Sequence, residues 1–380
     1  MRAFDGRGLR RPKLAMAAAV VAGTVLTGYC ACAAPAAAFA PAAAVTGGGT
    51  AGCFSSHGNV PCGMPPVTLD RTTQSFLNQL AAQDGKPLFE QTPAQAREVL
   101  NKLQAGPVPE LPADISEKTI KGGPTGEVSL RIVRPAGVKG TLPGLVFIHG
   151  GGWVLGNEKT HDRLVRQLAN GARAAVVFVN YTPSPEARYP VAIEQAYTAA
   201  KWVAEHGAEI GIDGKRLAVA GDSVGGDMTA AVTMMAKQRG GPAFREQVLL
   251  YPVTDADFDS PSYRQFSENC WLTRANMKWF WDKYAPDAAV RNQPLASPAK
   301  ATTEQLRGLP PALVVTDSDV LLDGAKTYIG KLRAAGVNVQ HLHYAQTVHD
   351  FMMLDALRDT WSAKDAVAKT TAALRQALYG

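Results

Sequence analysis

A serine, a histidine and a run of glycines carry the chemistry this sequence can do. In "GDSVGG", Ser223 lies between Gly221 and Gly225, after the apolar segment "RLAVA" and before "DMTAAVTMMAKQ". The first segment reads as a buried strand and the second as a helix. The G-x-S-x-G pattern then falls on a strand-to-helix turn, which exposes the serine hydroxyl at the top of a sheet. A helix starting at Val224 aims its free N–H groups and positive dipole end at the same place, which suits an oxyanion. Ser223 is therefore the candidate nucleophile. "HGGGW", His149 to Trp153, follows the apolar "GLVFI". Three successive glycines, Gly150, Gly151 and Gly152, cost conformational entropy and imply that backbone N–H groups closely approach a ligand. The developing oxyanion of an acyl group attacked by Ser223 fits that demand. A phosphate-binding reading lacks the accompanying lysine or G-x-G-x-x-G.

Ser223 needs a base, and the base needs a carboxylate to orient it. Of the seven histidines, His349 in "TVHDF" lies just beyond the last strand-like segment, where a loop would deliver it to the same rim. "VVTDSDVLLDG" offers Asp317, Asp319 and Asp323, and spacing alone does not choose among them. His341 and His343 alternate within a strand and share a face; without a third ligand they read as structural, and no metal is expected. His161 and His206 lie in helical sequence and carry no motif. The chain order Ser, Asp, His is that of the α/β-hydrolases.

The elements that must position these groups are legible from Leu142 onward. "GLVFIHG", "AAVVFVN", "LAVAGD", "QVLLYP", "ALVVTD" and "VNVQHLHY" are short apolar strands separated by helical segments. That alternation predicts an α/β fold with a mainly parallel sheet covered on both faces. Ligands of such sheets meet the carboxyl ends of the strands, where the candidate residues fall. "VSLRIVRP" alternates like a half-exposed strand. Upstream, "LDRTTQSFLNQLAAQ" places Phe76, Leu77 and Leu80 on one helical face, and "TPAQAREVLNKLQAG" starts a helix with Thr92 as cap and Pro93 behind it. The interval 253–287 is long, rich in aromatics such as Trp271, Trp279, Phe280 and Trp281, and lacks a strand, so it reads as an inserted cap.

The chain has 380 residues, 46% hydrophobic and 19% charged, which predicts a sizeable core. Five basic residues against Asp5 in the first 13 positions hold +4 of the net charge of +6, leaving +2 elsewhere and no basic run for nucleic acid. "MRAFDGRGLRRPK" and the apolar "LAMAAAVVAGTVL" read as a signal peptide within residues 1–44, with an uncleaved membrane anchor as the alternative. Residues 45–68 form a linker, in which Cys53 and Cys62 flank a polar loop suited to a disulfide in an oxidising compartment. Export to the periplasm or medium is the expectation. Cys270 reads as a small buried residue.

With these motifs together, the chain resembles the hormone-sensitive-lipase-like family of α/β-hydrolases, the bacterial esterases in particular. "HGGGWVLGNEKTHDRLVRQLA", "NYTPSPEARYP", "GDSVGGD", "VLLYPVTDADFDSPSY", "DVLLDGAKTY" and "VHDF" occur in the family's order, from about Leu69 to the C-terminus. The resemblance implies Ser223 as nucleophile, His349 as base and Asp319, first residue of a D-x-L motif, as the triad acid. It implies an oxyanion hole from the N–H groups of Gly151, Gly152 and Val224, with His149 orienting the loop and Gly150 within it. A cap built from helices in 69–118 and an insertion at about 253–292 would cover a catalytic domain spanning 119–380. The implied activity is hydrolysis of small short- to medium-chain esters without metal or cofactor, in a protein compatible with a homodimer. Amidase or lactonase chemistry would use the same constellation, and a binding protein of this fold would have lost a triad member. Three departures stand out. Val224 replaces the usual alanine and is expected to crowd the acyl site, Asp350 replaces the usual glycine after the base, and "NYTPSPEARYP" replaces a "YRLAPE" start.

Overall fold

The computed structural model of the protein describes residues 67–83 and 85–380, so the expected leader and most of the linker with its Cys53–Cys62 pair lie outside the described residues. Helix α1 (Arg71–Ala81) starts where the Asp70 carboxylate accepts the N–H groups of Thr72 and Thr73, and α2 (Pro93–Leu103) starts at a Thr92–Gln95 capping box. Strands β1 (Ala113–Lys121) and β2 (Glu127–Pro135) pair antiparallel. The domain boundary expected at 118 falls inside β1. That strand is mostly exposed, with Ile120 its one fully buried residue, so it lacks the apolar alternation that betrays a strand.

The remainder alternates as expected: β3 (Leu142–Ile148), α3 (Asp162–Ala172), β4 (Ala175–Asn180), α4 (Val191–His206), β5 (Ile212–Asp222), α5 (Val224–Arg239) and β6 (Gln247–Leu250). Helices α6 (Pro261–Gln265), α7 (Arg274–Tyr284), α8 (Ala288–Arg291) and α9 (Thr303–Leu306) fill the interval before β7 (Ala312–Asp317). Then come α10 (Leu322–Ala334), β8 (Val339–Tyr344) and α11 (Trp361–Tyr379). The eight strands form one sheet in the order β1-β2-β4-β3-β5-β6-β7-β8, antiparallel across β1, β2 and β4 and parallel from there on.

Helices α3 and α11 pack together, as do α4 and α5, and both pairs also pack against the sheet. This explains why β3 and β7 read as unbroken apolar runs: every residue in them is buried. Because β3, β5, β7 and β8 run parallel, their carboxyl ends share one rim. His149 follows β3, Ser223 follows β5, Asp319 follows β7 and His349 follows β8.

Candidate active site

The turn after β5 is a sharp elbow. Ser223 has φ 56° and ψ −120°, a left-handed backbone that non-glycine residues rarely adopt. Two hydrogen bonds tie the elbow to the end of β6, from Ser223 N–H to Leu250 O at 2.8 Å and from Val253 N–H to Ser223 O at 3.1 Å. Gly225 is required by close approach, since a Cβ there would lie 1.9 Å from Ile148 O. Strain at a functional turn held by its surroundings is the pattern expected of a presented nucleophile.

Ser223, His349 and Asp319 meet. His349 Nε2 lies 2.8 Å from Ser223 Oγ, and Nδ1 lies 2.6 Å from Asp319 Oδ2. The other Asp319 oxygen accepts the N–H of Leu321 at 2.9 Å, which fixes the carboxylate. Of the three candidate aspartates, Asp319 is the one hydrogen-bonded to His349. Asp323 accepts the N–H of Ser262 at 2.7 Å instead. Asp317 is fully buried, and burial, with Asp319 and Asp350 nearby, pushes its carboxyl well above the usual range. Burial lowers the His349 pKa, but the charges of Asp350 and Asp319 and the Asp319 hydrogen bond more than offset this, and it is raised overall. Ligand atoms of Asp317, Asp319 and His349 lie within 4.8 Å of one another, the one such grouping among the described residues. His349 Nδ1 and Asp319 already satisfy each other, so the cluster is arranged to hold a proton.

The glycine loop is held from beneath. Gly150 N–H donates to Asp222 Oδ1 at 3.0 Å, and Asp222 Oδ2 pairs with His161 Nε2 at 3.2 Å. A Cβ on Gly150 would lie 2.4 Å from that carboxylate. Both members of the pair have side chains 0% exposed. Burial lowers the His161 pKa, yet the Asp222 charge and hydrogen bond raise it overall; burial raises that of Asp222, and the two histidines and Gly150 N–H bring it down. His161, which sequence reasoning left without a role, is therefore part of the site. Its signal is spatial: it precedes α3, and only the folded sheet brings it to Asp222.

His149 is held against the glycine loop that it begins. Its Nδ1 is 2.8 Å from Gly150 O, its ring stacks on Tyr181 at 4.2 Å, and burial with His161 nearby drives its pKa down to about 3. Gly151 and Gly152, at φ 103° and 64°, line the same pocket as Ser223 and His349. Val224 opens α5, where first-turn N–H groups have no intrahelical acceptor. Its side chain is fully buried in the core, so the expected crowding of the acyl site does not occur through its branches.

A pocket of about 320 Å³ lies above these groups. Leu80 and Leu100 from α1 and α2 form one wall, Trp271, Leu272 and Phe280 from around α7 the other. The two expected cap segments thus roof a common space. Trp153 of the glycine loop is fully buried and stacks on Tyr284 of α7 at 4.1 Å, with Trp281 edge-on at 4.7 Å. Cys270 lines the pocket as a free thiol whose pKa burial pushes up to about 12, which leaves it a poor nucleophile. His341 and His343 both contact Thr316 Oγ1, at 2.8 and 3.0 Å, in keeping with a structural role.

The family model described as the alpha/beta hydrolase fold matches residues 145–353, which include every loop of the site. The chain is 36% identical over 288 residues to the carboxylesterase NlhH of Mycobacterium tuberculosis, covering 75% of this chain and 89% of that one. It is 33% identical over 305 residues to an ethyl acetate hydrolase of Pseudomonas putida, covering 80% and 92%. Among solved structures, a thermostable esterase from Pseudomonas putida ECU1011 superposes with a TM-score of 0.81 at 50% identity, covering 84% of this chain and 99% of that one. The strained serine, its hydrogen-bonded base and the glycine loop all fall within the matched residues, and the chain belongs to the hormone-sensitive-lipase-like family of α/β-hydrolases.

Proposed function

We propose that this protein is a serine carboxylic-ester hydrolase acting on short- to medium-chain acyl esters. The observation that carries the reading is the unbroken chain of contacts from Ser223 Oγ through His349 to Asp319, at 2.8 and 2.6 Å, inside a roofed pocket. Ser223 attacks the ester carbonyl while its proton passes to His349 Nε2, and Asp319 stabilises the imidazolium. The N–H groups of Gly151, Gly152 and Val224 receive the oxyanion, each worth about 3 kcal/mol when well placed. The imidazolium gives its proton to the departing alkoxide, which leaves as alcohol. His349 then deprotonates a water, which attacks the acyl-enzyme and restores Ser223 with release of the acid.

A pocket of about 320 Å³ stands at the small end of ligand sites, which supports small acyl groups over long chains. The first test is hydrolysis of p-nitrophenyl esters from acetate to palmitate, with Ser223→Ala as the comparison. Expected is a maximum at short chains and a loss of roughly 10³ to 10⁶ in the variant at unchanged thermal stability. Near-normal activity in Ser223→Ala would sink the assignment.

The basic start and apolar run at the N-terminus support export, with the leader cleaved within the first 44 residues or kept as an anchor. Among the described residues, no helix is long and apolar enough to cross a membrane. N-terminal sequencing of the mature protein tests this; recovery of an intact N-terminus from the cytosol would overturn it.

A further inference from the structure

The residue that follows the base in this protein is a buried carboxylate, Asp350. Asp350 adopts φ 64°, and its side chain turns back onto the histidine before it. Its Oδ1 lies 3.4 Å from His349 Nε2, the nitrogen that faces Ser223. That oxygen is buried and has no hydrogen-bond partner. The other oxygen accepts the indole N–H of Trp271 at 2.8 Å, a contact from the roof to the loop beneath it. Asp350 and Trp271 both line the pocket.

We propose that Asp350 is a second carboxylate for the base, held in place by Trp271, which stabilises the His349 imidazolium formed when Ser223 gives up its proton. The proposal rests on the ester-hydrolase reading and deepens it. Asp319 grips the far side of the ring through Nδ1, whereas Asp350 faces the nitrogen that carries the travelling proton. The groups facing His349 are Asp319, Asp350 and Ser223, with Asp317 in the same buried cluster, the Tyr251 ring edge-on at 5.1 Å and the Asp222 charge further off. Those acting on Asp350 are His349, Trp271, Asp222 and His161, with the buried Asp317 carboxyl also close enough to interact with it. Burial opposes the charge on the histidine, while the Asp350 charge and the Asp319 hydrogen bond and charge favour it. Burial also raises the Asp350 pKa, while His349 and the Trp271 hydrogen bond pull against it. Trp271 thus favours the anionic form of Asp350. A roof seated on Asp350 strengthens the base, and a roof lifted from it weakens the base.

Two variants separate this role from a structural one. Asp350→Asn keeps the shape and tolerates a positive φ, and Trp271→Phe keeps a ring but removes the donor. The probe is a fluorophosphonate, whose phosphorus is attacked by Ser223 with loss of fluoride, followed from about pH 4 to about pH 10 in the wild type and both variants. His349 is titrated in parallel by NMR. Removing an anion beside the imidazolium lowers its pKa, so the reactive neutral form persists to lower pH. The acid limb of labelling is expected to move down by about one pH unit in Asp350→Asn. A smaller move in the same direction is expected in Trp271→Phe. The labelling plateau should fall about tenfold in Asp350→Asn, the rate equivalent of one pKa unit. Limbs and His349 titrations that coincide with the wild type in both folded variants would overturn the proposal. If the wild type neither labels nor hydrolyses esters, the ester-hydrolase reading fails, and the NMR titrations still decide whether Asp350 acts on His349.

Discussion

The floor of the site and the N-terminal half of its roof are held by opposite kinds of bond. Beneath the glycine loop, Asp222 and His161 form a pair with no exposed side-chain surface, and the same carboxylate receives Gly150 N–H. Above it, α2 is fastened by Arg97, whose guanidinium donates to Val154 O at 2.8 Å, to Ser184 O at 3.0 Å and to both oxygens of Glu186. The Arg97 and Glu186 side chains are 27% and 52% exposed, so water screens that pair. A desolvated pair is costly to break by halves, because the survivor is left charged and buried. A screened latch costs little to open. The site therefore joins a floor that fixes geometry to a roof edge that can lift, while α7 is anchored to the loop by the Trp153–Tyr284 stack.

The floor gives the larger expected effect. His161→Gln should cost about 3–5 kcal/mol of unfolding free energy by stranding Asp222. A displaced glycine loop should lower kcat about 10²-fold. The folded His161 pKa is raised, so its stabilisation is complete below about pH 6.5 and is lost as pH rises through the folded value. That of Asp222 is lowered, so its stabilisation is present above about pH 3.9 and is lost as acid protonates it in the fold. The wild-type advantage in denaturant titrations should peak between those limits and shrink on the alkaline side. An advantage constant with pH would break the contrast from below.

Arg97→Lys probes the seam above. Lysine lacks the fork that serves three acceptors at once, and the expected loss is about 1 kcal/mol, with KM raised a few-fold and kcat nearly unchanged. Hydrogen exchange sharpens the result: amides of α1 and α2 should exchange faster while those of α7 do not change. Equal loosening of α7 would show that the roof moves as one piece.

The sequence made the parallel sheet and its rim readable because G-x-S-x-G and HGGG each follow an apolar strand of the right length. The choice of Asp319 over Asp317 and Asp323 came from family resemblance, since all three cluster after β7 and spacing is silent. Strand β1 stayed hidden because only Ile120 of its nine residues is fully buried. His161 stayed hidden for another reason: no local motif marks a residue whose partner is 61 positions away. Val224 misled because side-chain volume says nothing about which way the first turn of α5 faces.

The aromatic residues around the pocket have an optical consequence. Of the six tryptophans, Trp153, Trp271, Trp279 and Trp281 belong to the glycine loop or the inserted roof segment. Trp153 and Trp281 are sealed from solvent, whereas Trp271 lines the pocket with its indole N–H on Asp350. A ligand settling beside Ser223 would alter the surroundings of Trp271, which lines the same pocket. The protein thus carries its own fluorophore at the mouth of the reaction, and occupancy of the pocket can be followed by emission without a label.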